Sequence, residues 1–200
     1  MTGVQHRVSG PGRAGWSRAL VAGLLILLAL PGTPATDGPR APILRLQAGL
    51  AAAPDEAALT RLVAACFDLR RTAHQILAGL PRVDARAESR LADALELRLR
   101  RELRRHPPLP PTMTWIEDRP LGHDEWLVLT RVPDPVGNTQ VLAWRVSVGG
   151  PGPRIIDVLR DGVSGLRARR AEFASLVPEI GLEAALAAEE QAARAVAAKP

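Results

Sequence analysis

The sequence predicts an α+β fold: a helical N-terminal half packed on a twisted antiparallel β-meander of about four strands, followed by two C-terminal helices. Three observations predict it. Apolar residues recur about every four positions up to residue 105. From residue 112 to 160 they alternate in short runs separated by Gly/Pro clusters. Beyond residue 164 the helical spacing returns.

The first 35 residues carry Arg7, Arg13 and Arg18 and no acid, and include the apolar run of residues 19–30. A membrane-spanning helix needs about 20 such residues, so this run is too short to span. It reads as a secretory signal peptide, with Thr33-Pro34-Ala35 supplying small residues for cleavage before Thr36. No cysteine lies near the cleavage point and no twin arginine precedes the run, so export unfolded by the general route, without a lipid anchor, is the expectation. Residues 36–200 then suit one domain with one core.

Residues 43–80 carry Ala/Leu-rich helical patterning interrupted by Pro54, which starts a new helix that Gly79 and Pro81 end. Next, Val83, Ala87, Leu91, Leu95, Leu99 and Leu103 stand four apart, a stripe that drifts about 40° per step around a helix and so covers a broad half-cylinder. "HPPLPP", residues 106–111, cannot continue a helix. "TMTWIED", "DEWLVLTRV", "TQVLAWRVSV" and "RIIDVL" read as strands, joined by the turn clusters "RPLGH", "PDPVGN" and "GGPGP". Connections this short imply antiparallel neighbours, since a parallel pair needs a crossover of a dozen or more residues. In the third strand Leu142, Trp144, Val146 and Val148 share one face. A helix over residues 164–177 and an Ala-rich helix from about residue 179, with Gly181 near its start, close the chain.

Without the three leader arginines the chain carries 23 basic against 21 acidic residues, nearly all the bases being Arg. Export and near-neutral balance argue against a nucleic-acid partner. Cys66 is the single cysteine, so no intramolecular disulfide forms, and its apolar neighbours mark it as a small buried hydrophobe. Tyrosine is absent, which removes much of the usual stacking surface for sugars or bases.

No chemistry-bearing constellation emerges. Ser164 sits between a strand, a Gly turn and a helix, the setting of a hydrolase nucleophile, but that motif needs a Gly two residues on, where Leu166 stands. A helix N-cap is the expectation for it. His123-Asp124-Glu125 reads as a hairpin turn, since no second His or Cys stands at metal-ligand spacing. Asp93 and Glu96 lie among arginines as ordinary helix-surface charge. Arg98, Arg100, Arg101, Arg104 and Arg105 would suit a phosphate or lipid head group. A solvated helix end, where cations complement the macrodipole, is the favoured expectation. No catalytic residue, metal or cofactor is expected.

The stretch "IIDVLRDGVSGLRARRAEFASLV", residues 155–177, resembles the C-terminal block of the MlaC/toluene-tolerance family of periplasmic lipid-binding proteins, with Asp157, Val158, Gly162, Val163, Ser164, Arg170, Glu172 and Phe173 at matching positions. "LVAACFDLRRTAHQILAG" and "IGLEAALA" are similar to two of the family's helices, and the flavour is closest to the hopanoid-associated HpnM subgroup. The chain departs from the family in carrying Pro153-Arg154 where a Trp is usual and in lacking tyrosine. The resemblance implies helices around a twisted sheet, an apolar cavity for acyl chains, and a non-enzymatic periplasmic carrier. Its implied partners are a phospholipid or hopanoid-like ligand, an inner-membrane ABC transporter complex, and transient contact with a membrane or membrane protein.

Shielding two sixteen-carbon chains from water is worth on the order of 25 kcal/mol, which an enclosed aliphatic cavity supplies and a surface patch does not. The residues expected to line such a cavity are Leu91, Leu95, Leu99, Leu127, Leu129, Leu142, Trp144, Val146, Ile156, Val158, Leu166 and Phe173. Plain core packing uses the same residue types. The alternative expectation is therefore an adaptor module of an envelope complex, with a solid core and no lipid.

Overall fold

The computed structural model describes residues 38–105, 113–133 and 137–195. The expected signal peptide, the proline connection over residues 106–111 and residues 134–136 of the second turn cluster lie outside the described residues. In chain order the elements are α1 (Ala41–Ala51), α2 (Glu56–Cys66), α3 (Leu69–Leu77), α4 (Ala85–Arg105), β1 (Thr114–Gly122), β2 (Glu125–Pro133), β3 (Thr139–Ser147), β4 (Arg154–Arg160), β5 (Val163–Ser164), α5 (Gly165–Ile180) and α6 (Leu182–Ala195). The fold is α+β: a helical N-terminal half, an antiparallel sheet in the order β1-β2-β3-β4-β5, then two helices.

Pro42 lies in the first turn of α1, where a missing amide hydrogen costs nothing, and Ile43, Leu46 and Leu50 bury one face. A Cβ on Gly49 would stand 2.5 Å from Leu62, so glycine there lets α1 and α2 pack closely. Asp55 caps α2, its Oδ1 accepting from the Ala58 amide at 2.7 Å. The single helix expected over residues 54–80 is instead two. Phe67 is extended (φ −116°, ψ 147°) and bridges in parallel to Ile155 of β4, while Asp68 donates its amide to the Ile155 carbonyl at 2.9 Å. The Asp68 carboxylate then caps α3 through the Arg71 amide at 3.0 Å. A short acid is a poor interior helix residue and a good cap, and here the cap wins.

The meander has five strands, the fifth being the two-residue β5 beyond the four expected. β1 continues through Arg119-Pro120-Leu121-Gly122, a stretch whose composition reads as turn. Two register shifts interrupt its pairing, and as an edge strand it tolerates Pro120. The turn itself is confined to His123 and Asp124, both left-handed at φ 49° and 60°. On the helix-facing side lie Val128, Thr130 and Val132 of β2 and Leu142, Trp144 and Val146 of β3, as alternation requires. A bulge between Arg145 and Val146 leaves Ile156 as the extra residue of β4, so both Ile155 and Ile156 are buried. α5 does not stop at Val177 but runs on through Pro178, in its last turn, to Ile180; Gly181 (φ 83°) turns the chain into α6.

Two apolar clusters result. One joins α1, α2 and the inner sheet face, with Ile43, Leu59, Val63, Val128, Trp144 and Ile155. The other joins α3, α4, α5 and α6, with Ile76, Leu77, Leu91, Leu166, Phe173 and Leu186. The stripe on α4 passes from one to the other: Leu91 is fully buried in the second cluster, Leu95 packs at its margin, and Leu99 and Leu103 pack against the first while only half-buried.

Candidate functional site

The seam between the two clusters is not filled. On one side it holds a volume of about 230 Å³ walled by Phe67, Leu69, Thr72, Leu95, Leu99, Ile156, Val158 and Leu166. Beside it lies a volume of about 330 Å³ walled by Leu46, Leu50, Phe67, Leu99, Leu103, Leu142, Trp144 and Val158. Phe67, Leu99, Glu102 and Val158 belong to both, so the two compartments adjoin as one trough between α4 and the inner face of β3 and β4. The larger lies near the low end of the size range of ligand pockets. The cause is residue size: beyond Leu95 the α4 stripe offers only leucine, and no aromatic side chain of α4 reaches into the seam.

Several polar groups of these walls are engaged within the chain. The Trp144 indole donates to Thr130 Oγ1 at 2.9 Å, leaving its apolar ring to the larger compartment. The Thr72 hydroxyl lies 2.9 Å from the carbonyls of Asp68 and Ile156. Arg98, on the wall of the smaller compartment, pairs with the buried Glu189 at 3.1 Å, and Arg169 reaches the same carboxylate at 3.0 Å. Glu189 thereby ties α4, α5 and α6 together at the back of the trough.

Of the residues singled out from sequence, Leu95, Leu99, Leu142, Trp144, Ile156, Val158 and Leu166 stand together around the trough. Leu91 and Phe173 are buried in the second cluster and Val146 in the first, at 0–2% exposure, where they serve as packing. Leu127 and Leu129 are half-buried on the opposite face of the sheet, out of phase with Val128. There Leu127 lines a mixed groove of about 380 Å³ with Leu121, Glu125, Arg145, Leu159 and Arg167. Sequence reasoning missed Leu46, Leu50, Phe67, Leu69 and Leu103. Phe67 had a readable signal: an apolar residue immediately before an Asp cap is the N′ position of a helix start.

Ser164 caps α5, its Oγ accepting from the Arg167 amide at 3.0 Å and donating to Asp157 at 2.6 Å. Asp157 also accepts the Leu166 amide at 3.0 Å, so one buried carboxylate fastens β4 to the start of α5. The hydroxyl is committed to a carboxylate, and among the described residues no histidine bonds to it. The arginines of α4 are likewise committed within the chain: Arg100 and Arg104 to Glu56, Arg98 to Glu189, and Arg101 to the Ala193 carbonyl. Arg105 is exposed at the helix end. Cys66 is fully buried, and that burial pushes its thiol up to about 11 against the opposing pull of Arg45 and Arg154. Among the described residues no group of three or more His, Cys, Asp or Glu side chains could hold a metal ion.

No protein-family profile and no curated protein sequence matches the chain. A solved structure does match: the phospholipid-binding protein from Ralstonia solanacearum, in complex with a phospholipid, superimposes with a TM-score of 0.67 at 15% sequence identity. The match covers 81% of this chain and 99% of that one, so the two share a fold.

Proposed function

We propose that the chain is an exported lipid carrier that holds acyl chains in the trough between α4 and the sheet. In this reading it serves as the soluble shuttle of an ABC-type lipid transport system acting between the membranes of the cell envelope, and a phospholipid is the preferred ligand over a hopanoid-like one. The observation that carries the reading is the unfilled seam, whose walls are mainly aliphatic and aromatic, with Trp144 turning its apolar ring inward and its indole N–H away to Thr130. A fold shared with a phospholipid-binding protein supports the same reading. The short apolar run behind three arginines in the first 35 residues supports export to the periplasm. Carriage needs only shielding, so neither a catalytic group nor a cofactor has a role.

The test is recovery of the protein from the periplasm of its source, followed by native mass spectrometry and solvent extraction. One lipid per chain is the expected result. Protein that emerges without lipid, and whose melting temperature is unmoved by added phospholipid, would instead be the adaptor module.

A further inference from the structure

We propose that Arg160 anchors the ligand's head group, its guanidinium taking the phosphodiester of a membrane lipid and so selecting phosphate-bearing lipids over uncharged ones. The proposal rests on the lipid-carrier reading and adds the chemistry of the polar end.

Register is the first support. Arg160 pairs with Leu142 across the β3–β4 ladder, two residues beyond the Trp144–Val158 pair, so it belongs to the face that the strands turn toward the helices. Alternation calls for an apolar residue there. As the last residue of β4, Arg160 stands at the exposed rim of that face, where a cation meets both the apolar wall and solvent. It lines the larger compartment together with Leu142 and Trp144 while the residue as a whole stays exposed.

Elimination is the second. Arg98, the other cation on the trough wall, is held by Glu189, and Arg100, Arg101 and Arg104 are held by Glu56 and the Ala193 carbonyl. The Arg160 guanidinium has no hydrogen-bond or ion-pair partner among the described residues. Guanidinium binds phosphate oxygens through paired, charge-assisted hydrogen bonds. Glu102 lies on the wall common to both compartments.

The experiment loads the delipidated full chain from a mixture of phosphatidylcholine and diacylglycerol with identical acyl chains, and counts each bound lipid by native mass spectrometry. Wild type takes the phospholipid in preference. Arg160→Ala lowers the phospholipid-to-diacylglycerol ratio about tenfold, and Arg160→Lys restores part of it. Millimolar inorganic phosphate leaves the wild-type ratio unchanged. A ratio unaltered by Arg160→Ala overturns the proposal while leaving the carrier intact, because diacylglycerol uptake needs only the apolar trough. Displacement of phospholipid by inorganic phosphate also overturns it, by making Arg160 a free-phosphate site. Uptake of neither lipid by wild type overturns the carrier reading and this proposal together.

Discussion

Leu99 touches both compartments, so Leu99→Trp asks whether the seam is open space or soft core. An indole exceeds an isobutyl group by about six heavy atoms, and each methylene it displaces removes about 0.8 kcal/mol of shielding. With about half of that volume taken from bound hydrocarbon, the substitution costs roughly 2–3 kcal/mol of lipid binding, about 30- to 150-fold in affinity. In a filled core the same enlargement would cost about 1–3 kcal/mol of stability through overpacking. Here the adjoining volumes of about 230 and 330 Å³ accept the ring, so the melting temperature stays close to that of wild type. The assay pairs a titration of delipidated protein with a fluorescent phospholipid and a thermal unfolding curve. Wild-type affinity in the variant, or a melting temperature lowered by several degrees, would refute the reasoning.

Leu91→Ala and Leu99→Ala form an internal control, being two turns apart on one helix. The fully buried Leu91 costs about 3–4 kcal/mol in urea unfolding, and Leu99, which faces existing space, about 1–2 kcal/mol; equal losses would mean that the seam is packed. Asp157→Ala orphans the Ser164 hydroxyl and the Leu166 amide inside the protein and lowers stability by roughly 2–4 kcal/mol, against about 1 kcal/mol for Ser164→Ala. The reverse order in equilibrium unfolding would remove Asp157 from the centre of that network. Cys66 holds its proton more tightly folded, at about 11, than at its ordinary value of 9.0, so its contribution to stability is full below pH 9 and fades as pH rises toward 11. At pH 8 a disulfide thiol reagent should label it only in urea, and steady labelling of native protein would contradict its burial.

Local patterns were legible where one residue's chemistry decides the backbone. Ser164 was readable as a cap, His123-Asp124 as a turn, and Leu142, Trp144 and Val146 as the inner face of a strand. Two local readings failed for the same reason. The Ala/Leu pattern continues unbroken through Phe67-Asp68, and the Arg-Pro-Leu-Gly composition looks like turn, yet a bridge to Ile155 ends the first helix and pairing with β2 extends the strand. Both outcomes depend on partners distant in the chain, which propensity does not register.

Sequence by itself determined the element types, the antiparallel meander and the set of apolar residues available for an interior, because hydrophobic period and turn chemistry act over a few residues. Tertiary structure alone decided which of those residues became solid core and which became the wall of a trough. Leu91 and Leu99 are the same residue on the same stripe; one is enclosed by α3, α5 and α6, and the other faces a seam where two clusters meet without a side chain large enough to fill it. Packing volume is a property of all the surrounding elements at once, and no window of sequence contains it.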